Sequence, residues 1–185
     1  IFFWRLRDSA RGRLAYRRFR RHKHYFKAME AMSFVGRLLP RRNLIVFESN
    51  MGKSASDSPH VIYKELIARG SSAKMVWSTT STFRPASLET RKVEPGTPRY
   101  FWLLSRAKYW VNNQNFGPML KPDSRTTYLQ TWHGTPLKKM QFDAVSTAGR
   151  DEGYLDRVKA KTETWSMLLS PSEYASSAFR SAFGY

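Results

Sequence analysis

Asn43-Leu44-Ile45-Val46-Phe47-Glu48 is a short apolar run closed by an acid, and runs of the same kind recur downstream. Ser49 to Ser58 is small and polar, a loop. Pro59 opens a stretch through about Ala68 in which Val61, Ile62, Leu66 and Ile67 fall at helical spacing, and Gly70 stops it. Lys74-Met75-Val76-Trp77 is a second strand-like run. Too short and too apolar for a solvated helix, both runs read as strands buried on two faces. The rest of the chain continues the alternation. Arg91 to Val93 is a short strand, Pro98 to Arg106 an aromatic-rich helix, Tyr109 to Asn112 a strand, and Tyr128 to Thr131 another. Asp151 to Trp165 is helical in period, Met167 to Leu169 strand-like, and Ser172 caps a last helix to Ala182. Strands alternating with helices at this spacing predict an α/β fold with a mostly parallel sheet. Ligands of such sheets bind beyond the carboxyl ends of the strands, so chemistry is expected in the loops after Glu48, Asn112 and Thr131.

Upstream of that pattern the composition changes. Residues 1 to 42 hold 13 Lys/Arg and 2 acids, out of 32 and 14 in all 185 residues, which carry a net charge of +18. This segment reads as basic amphipathic helix. Phe3, Leu6, Ala10 and Leu14 share helical spacing, and Arg17, Arg18, Arg20, Arg21 and Lys23 come next as a cluster. With Phe2, Phe3 and Trp4 at its start, it suits an anionic membrane surface. The competing readings are a solvated helix packed on the next domain, and a nucleic-acid-binding arm, for which no recognised motif speaks. Pro40 ends the segment, which sets the expected division at 1–42 and 43–185. No apolar run approaches the roughly 20 residues of a spanning helix. The absence of cysteine excludes disulfides, thiol catalysis and Cys-ligated zinc. The 4 histidines are scattered without close carboxylates, so no metal or other cofactor is expected.

The most informative stretch for chemistry is Tyr128-Leu-Gln-Thr-Trp-His-Gly-Thr-Pro-Leu-Lys-Lys139. A strand delivers His133 at its carboxyl end. Gly134 permits close backbone approach, and Thr135-Pro136 can start a helical turn with Lys138 and Lys139 within reach. A proton-accepting imidazole beside amides and lysines that hold phosphate suits transfer to a hydroxyl acceptor. The plainer reading is an imidazole stacked on Trp132. Gly52-Lys53-Ser54 invites a phosphate-loop reading that fails, because the first glycine of that motif would fall on Phe47. Gly52 and its hydroxyl neighbours remain a ligand-contacting loop. Asn112-Asn113-Gln114-Asn115 is an amide cluster able to bind polyol hydroxyls or to stabilise a turn.

Taken together, Val46-Phe-Glu-Ser49 with Gly52, Asp57-Ser-Pro59, Trp110-Val-Asn-Asn113, and Leu129-Gln-Thr-Trp-His-Gly-Thr-Pro-Leu-Lys138 with Asp143 resemble the CDP-glycerol glycerophosphotransferase family. Ser170-Pro-Ser172, Phe179 and Phe183 fit as well, and the resemblance covers about residues 43 to 185. It implies the Rossmann-like, acceptor-side half of a GT-B fold. It also implies transfer of glycerol phosphate or ribitol phosphate from a CDP-activated donor to a hydroxyl of a lipid-linked polyol-phosphate or glycan acceptor, with CMP released. Such enzymes make teichoic acid or capsule-like polymers at the cytoplasmic face of the bacterial membrane. The family's proposed general base maps onto His133. Its donor-binding second domain normally comes after the sequence that ends at Tyr185, so the chain is expected to be part of a longer enzyme and inactive alone.

Overall fold

A computed structural model describes residues 10–117, 119–145, 149 and 151–184. Two helices come first, α1 (Ala10–Phe19) and α2 (Lys23–Leu38). After them come β1 (Arg42–Glu48), α3 (Asp57–Ala68), β2 (Lys74–Ser78), β3 (Arg91–Val93), α4 (Pro98–Arg106), β4 (Ala107–Asn112) and β5 (Thr127–Gln130). The chain ends with α5 (Tyr154–Thr162), β6 (Met167–Leu168) and α6 (Glu173–Phe183). Single 3-10 turns at Asn50–Gly52 and Gln141–Asp143 interrupt the loops.

The six strands form one sheet in the order β3-β2-β1-β4-β5-β6, and every pairing is parallel. That is the doubly wound order in which the winding reverses between β1 and β4. The reversal opens a crevice beyond the carboxyl ends of those two strands. Alternation along each strand feeds a core on either face. Leu44, Val46, Val76 and Trp110 join one cluster with residues of α2, α4 and α6. Ile45, Phe47, Met75, Trp77 and Val111 join the other with Tyr63 of α3.

The expected division at residue 42 does not separate two cores. Tyr25, Met29, Ser33 and Gly36 make a buried stripe along α2, and Tyr25 and Met29 belong to the same cluster as Leu44 and Val46. The Tyr25 hydroxyl donates to the Gly96 carbonyl at 2.7 Å. Gly36 lies so close to α4 that a Cβ there would meet Ser105 Oγ at 2.0 Å. Arg20 is likewise committed to the fold: it pairs with Glu94 at 2.7 Å and donates to the Pro95 carbonyl. It is therefore withdrawn from the expected membrane set, while Arg18 and Arg21 stay exposed. Phe2, Phe3 and Trp4 lie outside the described residues, as does the side chain of Arg17.

Two expected helices differ from the reading. α5 begins at Tyr154 rather than Asp151, because Gly153 sits in the left-handed region at φ 74° and starts the helix there. No helical turn forms at Pro136; Thr135 to Lys139 is irregular. An amide-lined helix terminus is thus not the feature that would hold phosphate beside His133.

Candidate functional site

Three loops meet at the carboxyl edge of the sheet. The loop after β1 is tied to the end of β4 by Asn113. Its Oδ1 accepts from the Asn50 N–H at 2.9 Å, and its Nδ2 donates to Asp57 Oδ2 at 2.7 Å. The loop after β5 is tied to the same place by backbone: the Thr131 N–H donates to the Asn112 carbonyl at 2.9 Å. Trp132 is next, at φ 58°, a left-handed conformation that costs a bulky residue of order 1–3 kcal/mol. It is held by its N–H, which donates to Gln130 Oε1 at 2.9 Å. Its indole packs edge-on against Phe183 of α6, ring centroids 4.8 Å apart.

His133 comes after it. Its ring lies 4.4 Å from the Trp132 ring, and its Nδ1 lies 2.7 Å from the Asn113 carbonyl oxygen. A carbonyl only accepts, so Nδ1 carries the proton and the lone pair of the neutral ring resides on Nε2. Stacking on Trp132 and availability as a base were alternative readings of the sequence. The two rings are tilted by 38° and do not stack, and the carbonyl bond holds the imidazole through Nδ1 while leaving Nε2 outside that bond. Gly134 adopts φ 142° with no heavy atom within 4 Å of a would-be Cβ. Glycine is required there by backbone conformation, not by crowding.

His133 faces a cleft of about 360 Å³, shared with Met51 of the first loop, Gln114 and Asn115 of the second, Gln141, and Lys161, Thr162 and Trp165. Among the described residues Lys161 is the cation of this cleft. Lys138 and Lys139, and Pro136 beside them, instead line a separate cleft of about 140 Å³ against Tyr174 and Ala178 of α6. The structure therefore brings the expected base together with a different lysine. Val158, Lys161, Thr162 and Trp165 recur at helical spacing along α5 and just past it. That period was legible, but nothing in it marked which face would meet His133.

Asn112, Asn113 and Gly52 were expected to contact substrate, and the structure corrects all three. Both asparagines are fully buried, with hydrogen bonds inside the protein. Asn112 Oδ1 accepts from the Gln114 N–H at 2.6 Å, and Asn113 is spent on the two loops described above. Gly52 is buried at φ 75°, where a Cβ would meet Pro95 Cγ at 2.3 Å, and its carbonyl accepts from the Thr80 N–H at 2.8 Å. These groups shape the site and do not line it.

One titratable group in this region was read in the sequence only as the end of a strand and as part of a family stretch. Glu48 ends β1 with only 3% of its surface exposed. Ser78 Oγ donates to its Oε2 at 2.6 Å, Asn112 Nδ2 approaches Oε1 at 3.5 Å, and Tyr100 also bonds to it. Burial dominates over these three donors and pushes the carboxyl up to about 7. Among the described residues no three His, Asp or Glu gather as a metal site.

Residues 30–185 match the model of the family described as CDP-Glycerol:Poly(glycerophosphate) glycerophosphotransferase. A teichoic acid glycerol-phosphate transferase of Staphylococcus aureus is 37% identical over 150 residues, which cover 78% of this chain and 38% of that protein. A teichoic acid poly(glycerol phosphate) polymerase of Bacillus spizizenii is 33% identical over 156 residues, covering 80% and 40%. Solved structures of the wall teichoic acid polymerase TagF superpose with a TM-score of 0.74 at 31% identity, over 85% of this chain and 41% of that one; one is a histidine-to-asparagine variant soaked with CDPG. The chain thus spans about two fifths of the length of these relatives.

Proposed function

The chain belongs to the CDP-glycerol:poly(glycerophosphate) glycerophosphotransferase family, and on that premise we propose that it is the base-bearing, acceptor-side part of an enzyme that builds a polyol-phosphate polymer. The donor is CDP-glycerol, or its ribitol counterpart, and the acceptor is a hydroxyl of a lipid-linked polyol-phosphate or glycan chain. In the transfer, Nε2 of His133 takes the acceptor hydroxyl's proton. The oxygen attacks the phosphorus that bears the polyol, a new P–O bond forms, the diphosphate bridge breaks, and CMP leaves. Lys161 faces the same cleft and offsets the charge of the phosphate being attacked. The observation that carries this reading is the Nδ1–H bond to the Asn113 carbonyl, which sets the tautomer a general base needs.

Peripheral attachment to the cytoplasmic face of the membrane belongs to the same proposal. No helix of the described residues is long and apolar enough to cross a membrane. α1 and α2 nevertheless leave Phe19, Phe34, Val35 and Leu38 more than half exposed, beside exposed Arg18, Arg21, Lys23 and Lys27. Apolar side chains rimmed by cations suit an anionic bilayer surface. The test of catalysis is CMP release by the full-length gene product with CDP-glycerol and CDP-ribitol. His133→Ala is expected to lower turnover by roughly 10²–10⁴-fold. Near-normal turnover in that variant removes His133 as the base, whereas no CMP release by the unaltered protein favours a module that binds a membrane or polyanion without chemistry.

A further inference from the structure

A second cleft of about 230 Å³ adjoins that of His133 and shares two lining residues with it, Asn115 and Lys161. The reason is the helical period of α5. Val158, Lys161 and Thr162 turn toward His133, while Arg157, Ala160 and Lys161 turn toward the neighbouring cleft. Lys161 stands on the boundary between them. Lys121 joins the lining of the second cleft from the loop before β5. Among the described residues three cations line the second cleft: Lys161, shared with the His133 cleft, Arg157 one helical turn (about 5.4 Å) back along α5, and Lys121 from the loop before β5. Among the described residues neither lysine is in an ion pair, and Arg157 shares its charge with Asp151 at 2.6 Å. Among the described residues no acidic side chain lines the second cleft. Its remaining walls are mostly carbon-rich, from Phe116, Leu120 and Tyr128.

We propose that this second cleft is a phosphodiester subsite, which holds the phosphate next in line on the acceptor chain while its terminal hydroxyl is presented to His133. The proposal rests on the transferase reading above and adds to it where the growing polymer lies. Cations spaced along a path suit a ligand that carries repeated single negative charges. Apolar walls between them suit the short carbon segments that separate those charges. The donor's diphosphate is the other source of the same chemistry, and the experiment separates the two.

Affinities of the full-length gene product for glycerol 3-phosphate, for synthetic dimers and trimers of glycerol phosphate, and for CDP-glycerol would be measured by isothermal titration. The unaltered protein is expected to bind the trimer more tightly than the single unit. Lys121→Ala is expected to weaken the trimer by roughly 3–10-fold and to leave glycerol 3-phosphate and CDP-glycerol unchanged. Lys161→Ala is expected to weaken all three. Lys121 is exposed, so its replacement leaves the fold intact, and Lys121→Glu should enlarge the same selective loss. Equal affinity for trimer and single unit overturns the proposal, as does a trimer affinity indifferent to both Lys121 variants. Weakening of CDP-glycerol by Lys121→Ala also overturns it and assigns the cleft to the donor. The underlying reading is judged separately by CMP release in the full-length gene product. If CMP is released but turnover with dimer and trimer acceptors ignores Lys121, the subsite alone is wrong; if no acceptor yields CMP, the transferase reading is.

Discussion

Replacing Glu48 by glutamine isolates the energetic cost of a buried carboxylate at the end of β1. In the folded chain the carboxyl titrates at about 7, against 4.5 when it is free in water. The folded state therefore binds the proton more tightly than the unfolded state does. Stability from this group is fully present below pH 4.5 and is lost as pH rises through 7. The difference amounts to about 3 kcal/mol between pH 4.5 and pH 8, at 1.36 kcal/mol per unit. Glutamine keeps the shape and most of the hydrogen bonds from Ser78, Asn112 and Tyr100 but carries no charge at any pH. Guanidinium unfolding followed by tryptophan fluorescence at pH 5, 6, 7 and 8 gives the comparison. The wild type should lose stability relative to Glu48→Gln across that series, with the steepest change between pH 5 and 7. His60, held below the usual histidine range by burial, has the opposite sign, losing stability as pH falls. It is common to both proteins and cancels in the difference. A pH-independent difference refutes the argument, because it would mean that the donors around Glu48 stabilise the anion as well as water does.

Asn113→Ala removes the part-buried hydrogen bonds that its side-chain amide makes with Asn50 and Asp57. It should cost about 2–4 kcal/mol in urea unfolding and lower kcat more than it raises KM, because the carbonyl that orients His133 is on the same residue. Gly36→Ala forces α2 away from Ser105; a loss of about 1–3 kcal/mol is expected by thermal unfolding, with Gly70→Ala, which meets no neighbour but bears a positive φ, as a purely conformational comparison. Vesicle co-sedimentation should show binding to anionic but not to zwitterionic bilayers. That binding should weaken with salt and on Phe34→Ser with Leu38→Ser, two exposed positions whose change spares the core.

The sheet and its helices were largely legible, because parallel strands buried on both faces write themselves as short apolar runs between helical periods. Ile45 and Phe47 point to one core and Val46 to the other, so the run Leu44 to Phe47 has to be apolar throughout. The strand that ends before His133 was legible for the same reason. The division of labour among polar residues past the strand ends could not be read. Asn112 and Asn113 look like ligand-binding amides in a sequence, yet parallel packing brings loops from distant parts of the chain over them and consumes their hydrogen bonds. Lys138 and Lys139 are close to His133 in sequence, but without a helical turn at Pro136 they turn into another cleft. Lys161 is 28 positions beyond His133 and is brought to it by the packing of α5, which no local pattern records. Arg20 belonged by composition to a solvated basic cluster. Only the tertiary contact with Glu94 and Pro95 shows that it is structural.

The convergence of three loops on Asn113 also governs when the site comes into being. The bonds that build it close over separations of 63 residues, from Asn50 to Asn113, and 20 residues, from Asn113 to His133. β1 meets its central partner β4 across a comparable distance. Contacts of that range close slowly, since chain entropy must be surrendered before any pairing rewards it. The imidazole thus acquires its tautomer-setting partner only once the middle of the sheet has zipped. A chain caught halfway exposes the apolar edges of β1 and β4 and leaves the His133 ring without its carbonyl partner. Nascent molecules for that reason lack an oriented imidazole until their centre is complete.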